Sequence, residues 1–252
     1  MNNPLFQRIV VAISIVAMIV VNVLANIIPY NGKLTGEISD SFAIYFVPAG
    51  YVFSIWGLIY LLLGVYAVYQ LMPKTYTNRA LNGVSWWVVL SSIANGAWIL
   101  LWHYQYFYTT IVVMAVLLIS LLMIYTQLAH GQKKKQNAQF ARYARLPFSV
   151  YLGWISVATI ANASVVLTLA NWNGFGIEPM WWSAIMIAVA TVLGLLMLVR
   201  EKDIAYTLVL VWAFVGIGMK FADVPELAQV AYFAAALLTL VSLVVFVQKK
   251  RN

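Results

Sequence analysis

The sequence contains no cysteine and little charge, although it is rich in apolar and aromatic residues. Without cysteine the chain cannot form a disulfide framework, use thiol catalysis or build a Cys-based metal site. Only 9% of its 252 residues are charged and 64% are hydrophobic, whereas a soluble domain carries about 25% charged residues. This composition excludes an ordinary soluble domain and indicates a membrane protein.

Eight apolar stretches are long enough, or nearly so, to cross a bilayer, for which a helix needs about 20 largely apolar residues. They cover residues 8–28, 51–72, 82–102, 107–130, 147–170, 180–199, 204–219 and 226–247, and the seventh is the shortest. We therefore predict an all-α fold, a polytopic membrane helical bundle of about eight transmembrane helices.

Basic residues alternate between the two sides of these spans. With the N-terminus inside, 13 of the 15 Lys and Arg residues lie in inside segments, and only Lys33 and Lys220 lie outside. Because basic residues mark the cytoplasmic ends of spans, this pattern predicts an integral membrane protein with both termini cytoplasmic. The net charge of +8 then reflects topology, so no nucleic-acid partner is expected. We expect the membrane to be a bacterial cytoplasmic membrane.

The predicted spans lack charge in their interiors, because every charged residue can be placed at a span end or in a loop. This absence argues against an ion-coupled carrier. The two histidines, His103 and His130, lie at opposite ends of spans, and no carboxylate is placed to form a metal or proteolytic site with them. We therefore predict no catalytic residue, no metal site and no enzymatic activity.

Several spans carry polar, aromatic and small residues on one helical face, since residues three or four apart share a face. These faces hold Asn22 and Asn26; Trp56, Tyr60 and Gly64; Asn95, Trp98 and Trp102; and Trp154, Ala158 and Asn162. An amide in hydrocarbon needs a partner, so the faces should point into the bundle. Joining helices is a sufficient explanation for amides and small residues on such faces. A cavity with aromatic walls and a few amides, however, also suits a flat, largely apolar ligand.

Three motifs carry a resemblance to a known family. The run PAGYVFSIWGLIY at 48–60, followed by Gly64, resembles the second-helix signature of the TspO/translocator-protein family, the tryptophan-rich sensory proteins. Asn95 with Trp98 resembles the family's Asn-x-x-Trp on the third helix. The fifth span resembles its Trp-x-x-x-Ala-Thr-x-x-Asn, with Tyr151 ahead of it.

The resemblance implies a TspO-like five-helix ligand-binding core at residues 1–170, followed by a three-helix C-terminal membrane extension at 171–252. It implies a receptor or sensor, often a homodimer, that binds porphyrin, haem-type tetrapyrroles or other flat apolar ligands, with no required cofactor. The loop at 29–50 would act as a lid. The implied ligand-binding residues are Pro48, Phe53, Trp56, Tyr60, Asn95, Trp98, Tyr151, Trp154, Thr159 and Asn162.

One alternative stays open beside the receptor, and an enzymatic role is disfavoured. The alternative function is a facilitator-type transporter of small neutral or amphipathic solutes, for which eight spans are sufficient. An enzyme that degrades porphyrin would need a general base inside the membrane, and the predicted spans offer none. The expected partners are membrane lipids and one apolar small molecule.

Overall fold

The structure, a computed structural model, describes residues 4–130 and 138–251. These residues form helices joined by turns and loops, and none of them lies in a strand. The predicted all-α polytopic bundle is therefore confirmed. Lys133, Lys134 and Lys135, which belong to the basic residues predicted inside, lie outside the described residues.

The helices follow the predicted apolar stretches closely. They are α1 (Pro4–Ile27), α2 (Thr35–Asp40), α3 (Ile55–Gln70), α4 (Arg79–His103), α5 (Phe107–His130), α6 (Ala138–Phe140), α7 (Leu146–Leu169), α8 (Pro179–Glu201), α9 (Ile204–Lys220) and α10 (Pro225–Arg251). A 3₁₀ turn at Gly50–Ser54 leads into α3, and a π-helical turn at Ala141–Arg145 joins α6 to α7.

Within the described ranges, seven helical segments are long and apolar enough to cross a membrane. They contain α1, α3, α4, α5, α7, α8 and α10. The seventh predicted span corresponds to α9, which is apolar but has only 17 residues. The beginning of α9 is sharply defined, because Lys202 ends α8 in the left-handed conformation and the Asp203 carboxylate caps α9 by accepting from the Tyr206 amide at 3.1 Å.

Contacts between residues group the chain into two compact units. Unit 1 comprises Met1–Ile38 and Ile55–Leu152, and unit 2 comprises Ser39–Ser54 and Gly153–Asn252. The long loop after α1 therefore contributes its first part to unit 1 and its second part to unit 2. The predicted division between residues 170 and 171 stays a prediction.

Unit 1 is held together at one end by a buried arginine. In this unit α1 packs against α3 and α4, and α4 packs against α5. Arg8 on α1 is 1% exposed and donates to the carbonyls of Gln70 and Thr75 at 2.6 and 2.8 Å, and to Asn82 Oδ1 at 2.7 Å. Gln70 Nε2 donates in return to the Arg8 carbonyl at 2.9 Å. This planar cation thus joins the beginning of α1 to the end of α3 and the beginning of α4.

Unit 2 is built around α9, which packs against α8, α10 and the 3₁₀ turn at Gly50–Ser54. The Ala49 amide donates to the Gly216 carbonyl at 3.1 Å, and Trp212 Nε1 donates to the Val52 carbonyl at 3.0 Å. A Cβ atom at Gly216 would overlap the Val52 side chain and press on Pro48. The glycine therefore allows the 48–52 segment to lie directly on the helix backbone.

The same part of the loop is fixed at its edges by side chains. Lys220, the last residue of α9, forms an ion pair with Asp40. Tyr51 packs edge-on against Trp212, with ring centres 5.3 Å apart, and its hydroxyl donates to the Met219 sulfur at 3.1 Å. This segment is therefore a packed part of unit 2.

We expect Arg8→Lys to lower the stability of the protein in detergent. Lysine keeps the charge but cannot reproduce the planar fork that donates to three acceptors, so one or more buried acceptors lose their partner. The expected loss is about 1–3 kcal/mol, measured as a lower apparent melting temperature. Arg79→Lys, at an exposed arginine, is the matched control and should melt like the wild type. Equal melting of both variants would contradict the role assigned to Arg8.

Two glycine-to-alanine changes should differ in their effect on stability. Gly216→Ala must push the 48–52 segment away from α9, and overpacking of this kind costs about 1–3 kcal/mol. Gly57→Ala introduces a Cβ with nothing within 4 Å of it, so it should be neutral or should stabilise α3 by up to about 1 kcal/mol. Thermal melting in detergent measures both effects, and a stable Gly216→Ala protein would show that the close approach is unimportant.

Candidate functional site

Three buried polar side chains from three helices of unit 1 form a hydrogen-bonded chain. Asn22 on α1 donates through Nδ2 to Asn95 Oδ1 on α4 at 2.7 Å, and Asn95 Nδ2 donates to the Tyr151 hydroxyl on α7 at 2.8 Å. All three residues are at most 2% exposed. Because α1, α4 and α7 each supply one member, the chain is a product of the tertiary fold. We call Asn22, Asn95 and Tyr151 the amide–phenol chain.

Aromatic rings from α3 lie against the phenol end of this chain. Trp56 packs against Tyr151 with ring centres 6.0 Å apart and an interplanar angle of 67°. It also stacks on Tyr60, one turn further along α3, at 5.5 Å and 25°. The structure therefore brings together four of the predicted site residues, Trp56, Tyr60, Asn95 and Tyr151.

Two members of this cluster were not among the predicted site residues. The sequence predicts an inward face that holds Asn22 and Asn26, but it does not indicate that Asn22 bonds to Asn95. Its Nδ2 also donates to the Met18 carbonyl at 2.9 Å. The Met18 sulfur lies 3.9 Å from the Tyr151 hydroxyl. No sequence pattern indicates Met18 as a site residue, because it lies among other apolar residues of α1.

Trp98, another predicted site residue, lies in a second aromatic cluster of unit 1. It stacks on Trp102, the next member of its helical face, with ring centres 5.2 Å apart at 19°. Trp102 is 4% exposed, and its indole N–H donates to the Thr35 carbonyl at 3.3 Å. Phe107, at the beginning of α5, packs edge-on against Trp102 at 5.2 Å. Trp98 is thus connected to the loop after α1 through Trp102.

The beginning of that loop, which was predicted to act as a lid, is fixed to the end of α4 by a buried histidine. His103 has no exposed surface, and its ring nitrogens lie 3.0 Å from Thr35 Oγ1 and 3.1 Å from the Tyr30 carbonyl. Asn31 Nδ2 donates to the His103 carbonyl at 3.1 Å. These bonds give His103 a structural role in unit 1.

The remaining predicted site residues belong to unit 2. Phe53 packs edge-on against Trp154, with ring centres 5.7 Å apart at 82°, and Trp154 is 3% exposed. Asn162 lies two turns further along α7 and is 1% exposed. The Thr159 hydroxyl donates to the Ile155 carbonyl of its own helix at 2.7 Å.

Pro48 is also in unit 2 and is buried where the 48–52 segment crosses α9 at Gly216. The five predicted residues of this unit are therefore Pro48, Phe53, Trp154, Thr159 and Asn162.

The chemistry of these side chains is neutral. Amides and a phenol can orient a polar group by hydrogen bonds, and indole and phenol rings can stack on a flat ligand. Among the described residues, no three His, Asp or Glu side chains gather in a way that could hold a metal ion. Such a site is suited to binding by shape, stacking and hydrogen bonds.

Comparison with known proteins matches residues 8–245 to the family described as TSPO-like protein. The match extends beyond the three motifs of the first five spans and includes α8, α9 and most of α10. No match was found among curated proteins or among solved structures. Because the family pattern covers nearly the whole chain of this integral membrane protein, the chain belongs to the TSPO-like protein family.

Proposed function

We propose that this protein is a non-enzymatic membrane receptor or sensor that binds a flat, largely apolar ligand of the porphyrin or tetrapyrrole class. Membership of the TSPO-like family indicates a sensor or ligand-binding role in a membrane. The ligand class is our proposal. We also propose a bacterial cytoplasmic membrane as the location, with both termini in the cytoplasm, and a homodimer as the assembly.

The observation that carries the proposal is the amide–phenol chain with aromatic rings at its phenol end. Trp56 and Tyr60 present stacked rings of the kind that flat ligands exploit. Asn95 and Tyr151 supply a donor and an acceptor within the same cluster. Apolar walls with a few convergent polar groups are typical of small-molecule sites.

In this structure Asn95 uses both ends of its amide within the chain. Its oxygen accepts from Asn22 and its nitrogen donates to Tyr151. The amide keeps a second N–H and a second lone pair, so the polar edge of a ligand can bond to Asn95 beside these bonds or in exchange for one of them, and an exchange costs little only if the new bond is equally good. Where the ligand replaces the bond between Asn95 and Tyr151, binding loosens the connection between α4 and α7, which gives a sensor a way to report occupancy.

We expect Asn95→Leu to weaken the binding of protoporphyrin. Leucine has a similar size, but it offers no hydrogen bond to the ligand edge, and a lost bond of this kind reduces affinity about three- to tenfold. The measurement is a titration of purified protein with protoporphyrin, followed by quenching of tryptophan fluorescence. Asn26→Leu is the control, because Asn26 is an exposed amide on α1 that donates only to a backbone carbonyl, that of Asn22.

A second pair of variants tests the stacking surface. Trp56→Phe and Trp86→Phe each remove one indole from the fluorescence signal, but only Trp56 belongs to the cluster, whereas Trp86 is 54% exposed. Trp56→Phe should bind protoporphyrin more weakly than Trp86→Phe. Absence of saturable quenching in the wild type, or equal affinities throughout both pairs, would refute the proposed ligand site.

A measurement of protoporphyrin flux across a bilayer distinguishes the facilitator from the receptor. Liposomes containing the wild-type protein should bind protoporphyrin without increasing its transfer across the bilayer, because a receptor needs no pathway to the second side. Liposomes containing Asn95→Leu provide the control for flux through the proposed site. Saturable transfer that Asn95→Leu abolishes would favour the facilitator over the receptor.

A further inference from the structure

Unit 1 has an apolar groove of about 570 Å³ along α3. Tyr60 lines one part of it, Tyr69 and Met72 line the other, and Tyr143 contributes from the π-helical turn. Gly64 lines the groove between them, and a Cβ atom there would have nothing within 4 Å. The absent side chain therefore leaves space within the groove.

The groove belongs to a membrane-spanning segment and has the dimensions of one bilayer leaflet. Tyr60 and Tyr69 are separated by about 14 Å along the helix axis, and half of the hydrocarbon core is about 15 Å thick. Leu61 and Val68, which also line the groove, are 66% and 63% exposed. An extended acyl chain is therefore an occupant of suitable length and polarity.

Two basic residues adjoin, in the sequence, the lining residues at the Tyr69 and Tyr143 end of the groove. Lys74 follows shortly after Met72, Arg142 directly precedes Tyr143, and both basic residues are exposed. The Tyr69 and Tyr143 ring centres are 5.5 Å apart, and Lys74 Nζ donates to Gln139 Oε1 at 3.2 Å. These contacts hold the end of α3 and its following turn close to the segment that carries Arg142.

Acidic residues are missing from this part of the sequence. There is no Asp or Glu between Asp40 and Glu178, so neither the groove-lining segments nor the turns that flank them carry a negative charge. A groove that was merely apolar would accept any acyl chain, whereas basic side chains at the headgroup end favour an anionic lipid.

We infer that this groove binds one anionic phospholipid, with an acyl chain along Gly64 and the headgroup phosphate beside Lys74 and Arg142. The site adjoins the proposed tetrapyrrole site, because Tyr60 belongs to both. The lipid site stands whether or not a tetrapyrrole binds, because its test uses residues outside the amide–phenol chain and its aromatic rings.

The test compares two phospholipids that differ only in the headgroup. Detergent-purified protein is titrated with dioleoyl phosphatidylglycerol or dioleoyl phosphatidylcholine, and native mass spectrometry counts the bound lipids. The wild type should retain one phosphatidylglycerol molecule in preference to phosphatidylcholine. The double variant Lys74→Gln, Arg142→Gln should lose this preference, with affinity falling about fivefold for each basic side chain removed.

Two matched controls show whether the changes in lipid binding are specific to the groove and its neighbouring basic residues. The double variant Arg200→Gln, Lys202→Gln removes two exposed charges from unit 2 and should keep the preference. Gly64→Leu fills the groove and should reduce binding of both lipids, whereas Gly57→Leu adds the same side chain to another open position of α3 and should not. Both glycines are helical positions with free space beside them, so both variants should fold, and melting temperatures in detergent verify this.

Equal retention of the two lipids by the wild type would overturn the headgroup site. Equal binding by Gly64→Leu and Gly57→Leu would overturn the acyl-chain site. Neither result depends on protoporphyrin, so a failure of the lipid proposal is distinguishable from a failure of the proposed receptor function.

Discussion

A polar group inside hydrocarbon must find its partner within the protein, because the bilayer core offers no water. The two terminal nitrogens of Arg8 meet this requirement with two backbone carbonyls and one amide oxygen, and these bonds join three helices at one end of unit 1. The amide–phenol chain meets it with bonds between α1, α4 and α7. Apolar side chains pack almost as well against lipid as against each other, so these polar contacts specify which helices of unit 1 meet and in which register.

The same requirement connects stability to the proposed function. Both ends of the Asn95 amide bond to other helices in this structure, so a ligand that bonds to Asn95 acts on a contact that holds helices together. The proposed receptor therefore responds to its ligand through the contacts that stabilise unit 1. In unit 2 the corresponding constraint is steric, since the missing side chain at Gly216 lets the 48–52 segment lie on α9.

The sequence predicted the helices well, because hydropathy and charge act locally along the chain. It also predicted correctly that Asn22 and Asn95 face inward, since period and polarity identify a buried face, although Asn26, which was expected on the same face as Asn22, is exposed. It could not predict that Asn22 is the partner of Asn95, or that Met18 lies beside Tyr151, because such pairings depend on how helices meet. The close approach of the 48–52 segment to Gly216 could not be predicted either, because a glycine within a helix does not indicate which segment packs against it.

An experimental structure of the protein with protoporphyrin bound would show directly whether the amide–phenol chain and its aromatic rings form the ligand site. We expect the macrocycle to contact the Trp56 and Tyr60 rings, with its polar edge bonded to Asn95. A macrocycle bound away from these three residues, with the surroundings of Asn95 unchanged, would contradict the proposed site.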